Sequence, residues 1–438
     1  MNNANTFALQ GDICYSESLD TLRCMQGGYL VCDGGLSRGA FETLPEQYKD
    51  LPLFDYSGKL IIPGLVDLHM HAPQHAFRGL GMDSELLDWL NAYAFPEEAK
   101  YEDMEYAQTA YEAVVQDIAK GPNTRACIFA TIHLPATILL MDMLENSGLV
   151  CMVGKINMDR NCPEYLREKS AARSAADTRL WLESVAGSYD NVRPILTPRF
   201  LPVCSNELMQ ELASLQKEFG LPVQSHLSEN RAEIDWVREL HASSKSYGHA
   251  YEQFGLFGGA VPTVMAHCVW PDAEEMELMQ RNQVYVAHCP QSNMNLSSGI
   301  APIRRFLNQG IPTGLGSDVA GGCHSSIFRA MADAIQASKI RYTLVNRDDK
   351  PLTIQEVFYL GTLGGGSFFG NAGSFMEGYE FDAVVIDDNS LSAAFPMTME
   401  ERLARAVYTS DDRHICAKYA RGKPILTGLG GASDNEYQ

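Results

Sequence analysis

Through the middle of the chain, apolar residues come in short runs, and most runs stop on a polar side chain. The runs span Leu65 to His69, Ala126 to Thr131, Val150 to Gly154, Pro194 to Thr197, Pro222 to His226, Thr263 to His267, Val284 to His288 and Thr313 to Asp318. Their length and β-branched content predict buried strands. Between them, stretches such as Asn206 to Phe219 and Asp272 to Arg281 carry apolar residues at the spacing of a helix with one buried face. Eight strand-then-helix units across residues 63–373 predict an α/β fold of the (β/α)8, TIM-like barrel kind.

The ends of the chain have a different rhythm. Gly28 to Cys32 and Lys59 to Ile62 read as extended segments, with a turn at Asp33-Gly34-Gly35. Beyond residue 373, Phe381 to Ile386 and Arg405 to Tyr408 look extended, and Lys418 to Ile425 reads as strand, turn, strand; a short polar tail follows Gly428. Because both ends are β-like, residues 1–62 and 374–438 are expected to pair into one small sheet domain beside a catalytic barrel at 63–373.

Charge and cysteine content narrow the partners. With 34 basic and 55 acidic residues the chain carries a formal charge of −21, which repels phosphate backbones and anionic membranes, so neither nucleic acid nor a membrane is expected as a partner. No stretch reaches the roughly 18 apolar residues that a membrane span needs, and the first residues lack the basic-then-apolar pattern of a secretory leader. The 11 cysteines form no CxxC pair, so most are expected to be reduced packing residues of a cytoplasmic protein, Cys268 and Cys289 among them.

Five of the eight runs end in His69, His226, His267, His288 and Asp318, at the strand ends where barrels of this kind build active sites. His69 and His71, two apart on one strand, face the same side and can reach one metal. His226 and Asp318 complete three nitrogens and a carboxylate, a set that suits zinc with a position left for water, although it could also hold iron. Glu229, just past His226, could deliver a proton to a ring nitrogen. His267 could hydrogen-bond the attacking water or contact the substrate. His288 could line the pocket or orient the Asp318 loop.

Pro63-Gly-Leu-Val-Asp-Leu-His-Met-His71, with His226, His267 and Asp318, resembles the amidohydrolase superfamily, and His288-Cys-Pro-Gln-Ser-Asn-Met-Asn-Leu-Ser-Ser-Gly299 resembles its deaminase and chlorohydrolase branch. His71-Ala-Pro-Gln74, Leu86 to Glu97, Thr197-Pro-Arg-Phe200, His226 to Arg231 and Gly316 to Gly322 are similar to the members of that branch that act on guanine. The resemblance implies a small β-sandwich built from both chain ends, a homodimer, and one zinc per chain on His69, His71, His226 and Asp318. It implies hydrolytic deamination of a free purine base to release ammonia. Glu229 would protonate the ring, Asp318 would take the proton of water, and Gln74, Arg199 and Phe200 would hold the base together with His226 and Glu229. An arginine can donate to O6 of guanine, whereas adenine presents an amino donor there. Two alternatives stand beside this: a branch relative acting on a pterin, nucleoside or triazine, and an interaction protein that kept the barrel without catalysis.

Overall fold

The computed structural model describes residues 5–391 and 394–425. Its N-terminal strands are β1 (Phe7–Ser18), β2 (Thr21–Asp33), β3 (Leu36–Phe41) and β4 (Leu53–Pro63). The central segment contributes β5 (Leu65–His71), β6 (Asn123–Phe129), β7 (Val150–Gly154), β8 (Ile156–Asn157), β9 (Val192–Pro194), β10 (Thr197–Pro198), β11 (Val223–Leu227), β12 (Thr263–His267), β13 (Tyr285–His288) and β14 (Thr313–Leu315). The C-terminal part adds β15 (Ala383–Ile386), β16 (Ile415–Ala420) and β17 (Lys423–Pro424).

The central strands all pair in parallel, in the orders β5-β6-β7-β9, β8-β10 and β11-β12-β13-β14. Every residue of β5, β6, β7, β11 and β12 is buried, as parallel strands covered by helices on their outer face require. A parallel bridge between Leu196 and Val223 links the two halves. Past the end of β14, the Asp318 amide donates to the His69 carbonyl at 2.8 Å, which brings the last strand's loop back to the first strand.

Two expectations need adjustment within this segment. The Pro194–Thr197 run is split between β9 and β10. The Thr313–Asp318 run is strand only to Leu315, because Ser317 N donates to the Asp67 carboxylate at 3.0 Å and Asp318 N to His69 O, so those amides have left the regular ladder.

The two chain ends do meet, in one seven-stranded sheet of order β17-β16-β15-β4-β1-β2-β3. β4 pairs in parallel with β1 and antiparallel with β15. Phe7 on β1 and Tyr419 on β16 sit three strand spacings apart, about 14 Å in a flat sheet, yet their ring centroids are 5.3 Å apart. The sheet therefore curls around an aromatic core that also contains Phe375 and Phe381.

Arg405–Tyr408 is a correction. It lies in a helix, Met399–Thr409, whose N-terminus is fixed by Thr398 and Glu401 in a reciprocal cap and whose Leu403, Ala406 and Val407 are buried at helical spacing. A three-residue apolar run has too few positions to separate the two periods. The polar tail after Gly428 lies outside the described residues.

The sheet is bolted to the central strands by buried polar contacts. Arg125 of β6 meets Asp382 at 2.5 Å and Glu380 at 2.6 Å. Lys418 of β16 donates to the carbonyls of Ile118, Gly121 and Asn123 at 2.8 to 2.9 Å, so one ammonium satisfies the end of helix Met104–Lys120 and the start of β6.

Candidate metal centre and active site

The C-terminal ends of β5, β11, β12 and β14 converge on one buried spot. His69 and His71 alternate with Met70 on β5 and so face together. The backbone at His267 and Asp318 is left-handed, with φ of 74° and 47°, a conformation that non-glycine residues adopt at a cost of about 1–3 kcal/mol and that clusters at functional sites. The turn after Asp318 is tight: Gly322 N donates to Asp318 O at 2.6 Å, and a Cβ at Gly322 would stand 1.9 Å from Ser317 O. That turn admits only glycine.

His69 Nε2 lies 3.1 Å and His71 Nε2 3.7 Å from Asp318 Oδ1, and the Nε2 atoms of His71 and His226 are 3.2 Å apart. His226 Nδ1 sits 2.5 Å from the Arg199 carbonyl, so its proton is on Nδ1 and a lone pair faces the cluster. Burial is the largest influence on His69, His71 and His226 and lowers the pKa of each, keeping the rings neutral. Burial pushes Asp318 upward, but the polar contacts that face it from His69, His267 and the Ser292 hydroxyl outweigh it and hold its pKa low. Lone-pair nitrogens crowded around a buried carboxylate fit a divalent cation, and His69 Nε2 has no hydrogen-bond partner of its own. His69, His71 and Asp318 form one cluster able to ligate a metal, and His69, His226 and His267 another.

Glu229 stands beside this cluster. Ser298 Oγ donates to Glu229 Oε1 at 3.1 Å, and Oε2 lies 3.3 Å from His267 Nε2. Burial first, then the Asp318 charge, raises its pKa well above the carboxylate range, so the group holds a proton to give. His267 Nδ1 is 2.9 Å from Asn293 Oδ1; with its proton donated there, Nε2 is free to accept from the Glu229 carboxyl.

A cleft with about 410 Å³ of empty space, part of it open to solvent, lies over the cluster. His71, His226, Glu229, His267 and Asp318 line one part of it; Gln74, Arg199 and Phe200 line another, with Leu86, Trp89 and Leu90 adding apolar wall. The wall residues come from a helix widened at Leu90–Ala94 just before Pro96. Proline has no N–H for the preceding turn, and the wider turn absorbs its ring.

Of the ten residues singled out from the sequence, eight line this cavity and His69 lies in the His and Asp cluster beneath it. His288 does not line this cavity; its carbonyl accepts from Gly316 N at 2.9 Å, so it touches the Asp318 loop through main chain alone. Cys268 and Cys289 are buried. Sequence reasoning missed Glu98, Glu233, Asn293 and Ser298. Asn293 and Ser298 lie in the His288–Gly299 motif, while Glu98 and Glu233 are acidic residues in the first turn of a helix, a placement that draws no notice.

Residues 60–424 match the amidohydrolase family, and the chain belongs to that family. It is 38% identical to the guanine deaminase of Dictyostelium discoideum over 85% of this chain and 84% of that protein, and 37% identical to the guanine deaminase of Homo sapiens over 84% and 83%. Among solved structures, it is similar to guanine deaminase from C. acetobutylicum with bound guanine in the active site, at 45% identity and a TM-score of 0.93, covering 96% of this chain and 100% of that one.

Proposed function

We propose that the chain is a guanine deaminase, hydrolysing guanine to xanthine and ammonia. The observation that carries this is that one small cavity combines a base-sized apolar wall and the Arg199 donors with a metal-capable His and Asp cluster and a protonated Glu229. In this reading, His69, His71, His226 and Asp318 hold one zinc ion. Bound there, the metal would lower the pKa of a water to about 7. Asp318 is placed to take a proton from the water whose oxygen attacks C2, the amino-bearing carbon. Glu229 gives its proton to the neighbouring ring nitrogen, which makes C2 electrophilic. His267 hydrogen-bonds the incoming water, its ring held in place by the Nδ1 contact with Asn293 Oδ1. The proton held at Asp318 then goes to the amino group, which leaves as ammonia, and the hydroxyl proton on C2 returns to Glu229 as the C2 carbonyl of xanthine forms. Arg199 donates to O6, Gln74 orients the base edge, and Phe200 packs near the ring.

The architecture we propose around this site is a (β/α)8 barrel at 63–373, supported by the parallel order of β5 to β14 and the return contact from Asp318 to His69. A sandwich-like domain from 1–62 and 374–438 is supported by the curled seven-stranded sheet. We take the working form to be a cytoplasmic homodimer; the cysteines are all unpaired, in keeping with a reducing compartment, and no described helix is long and apolar enough to cross a membrane.

The test is to incubate purified, metal-analysed protein with guanine, adenine, cytosine and guanosine and follow ultraviolet absorbance. Conversion of guanine alone, abolished by a chelator, is the expected result. A fully zinc-loaded chain that leaves guanine unchanged would overturn the substrate assignment.

A further inference from the structure

Glu98 is 1% exposed, and both of its carboxylate oxygens face the wall proposed to read the base. Gln74 Nε2 donates to Oε1 at 2.8 Å, and Arg199 Nη1 donates to Oε2. Phe95, three residues earlier, lies under the same guanidinium, 5.1 Å from Cζ to ring centroid. One short helix, Phe95–Ala99, therefore gives Arg199 both its counter-ion and its stacking face. The Gln74 amide is pinned at both ends, since Ala320 N donates to its Oε1 at 3.2 Å. With an acceptor on one side and a donor on the other, only one amide orientation satisfies both.

We propose that Glu98 is a positioning residue that sets base selectivity by holding Gln74 and Arg199 in one fixed pattern of donors, a role that rests on the guanine reading above. The guanidinium has five N–H donors in a rigid fork. Spending one on Glu98 fixes the plane and direction of the rest. Among the described residues, Glu98 is the single side-chain acceptor that fork meets, so the remaining donors belong to whatever fills the cavity. A base edge with an oxygen acceptor at that point is rewarded, and one with hydrogen or an amino group is not. The carboxylate also keeps the buried Arg199 charge paired while the cavity is empty, which an amide could not do.

Glu98→Gln preserves shape but puts one NH2 against two groups that are themselves donors, so at least one contact is lost. The experiment compares wild type, Glu98→Gln and Glu98→Asp on guanine and on 2-aminopurine, which keeps the amino-bearing carbon and lacks O6; 2-aminopurine is read as substrate or as competitive inhibitor. Glu98→Gln is expected to lose roughly 10- to 100-fold in kcat/KM for guanine, most of it in KM, as loss of a charged buried hydrogen bond implies. Bound metal per chain should be unchanged, and the constants for 2-aminopurine should move far less. Glu98→Asp, which retains the charge, should recover part of the loss; it carries the test if the glutamine variant does not fold. Equal losses on both compounds, or undiminished selectivity for guanine, would overturn the proposal. Wild type inactive on guanine would instead overturn the substrate assignment, and this role with it.

Discussion

The Nε2 atoms of His71 and His226 meet at 3.2 Å, and His226 brings a lone pair to that meeting because its Nδ1 proton is donated to the Arg199 carbonyl. In this pose either His71 donates an Nε2 proton to that lone pair, or both rings present lone pairs to a cation held between them. Burial and the neighbouring charges push His71 strongly away from gaining a second proton, so both rings stay neutral and able to ligate. The second arrangement is the one that metal loading would select.

Zinc should therefore stabilise the fold. At a free concentration of 100 times its Kd it contributes about 2.7 kcal/mol, visible as a rise in melting temperature when metal is returned to chelator-treated protein. His226→Ala should lose the rise and the activity together. An unshifted melt in wild type on metal return would count against the ligand set.

Glu229 lies beyond the ligand cluster, so its loss should spare the metal. Glu229→Gln is expected to cut turnover roughly 10²- to 10⁴-fold, the range for a positioned acid–base group, with metal content unchanged by elemental analysis. Near-normal turnover in a metal-replete Glu229→Ala protein would remove the assigned proton transfer.

His288 predicts a pH dependence of stability. Burial lowers its pKa from 6.5 to about 3, so the unfolded chain binds the proton more readily than the native one. Native stability from this group is complete above pH 6.5 and falls as pH drops from 6.5 toward 3, by up to about 1.4 kcal/mol per pH unit. Urea unfolding at pH 7.5 and 5.5 should show a smaller difference for His288→Asn than for wild type. Equal differences would mean that His288 titrates normally.

Lys418 satisfies three carbonyls at once. Lys418→Met should destabilise by about 3 kcal/mol or more, since each buried acceptor left unpaired costs about 1–3 kcal/mol. Denaturant midpoints measure this directly, and a loss under about 1 kcal/mol would show that water replaces the ammonium.

The candidate His and Asp cluster was legible because each member sits at or just past a strand end, where a polar residue closing an apolar run has no packing explanation; His69 and His71 even share a strand. Arg199 and Phe200 became visible through resemblance alone, since a charge beside an aromatic is commonplace. Glu98 was invisible for a physical reason: an acidic residue in a first helical turn is already explained by the helix dipole, and its partners Gln74 and Arg199 lie 24 and 101 positions away. The strand assigned to Arg405–Tyr408 failed for want of length, while the cap at Thr398 and Glu401 was available as a signal three residues apart.

The pairing of β4 with β15 has a consequence for the birth of the protein. β4 ends at Pro63 and β15 begins at Ala383, so some 320 residues (383 − 63) are synthesised between them. At about 5–20 residues per second, the apolar edge of Leu60, Ile61 and Ile62 waits on the order of 16 to 64 seconds for its partner strand. An unpaired apolar edge is a template for another chain, and on crowded polysomes the neighbours are copies of the same nascent sequence. A ribosome stalled before Ala383 would leave that edge with no native partner to wait for.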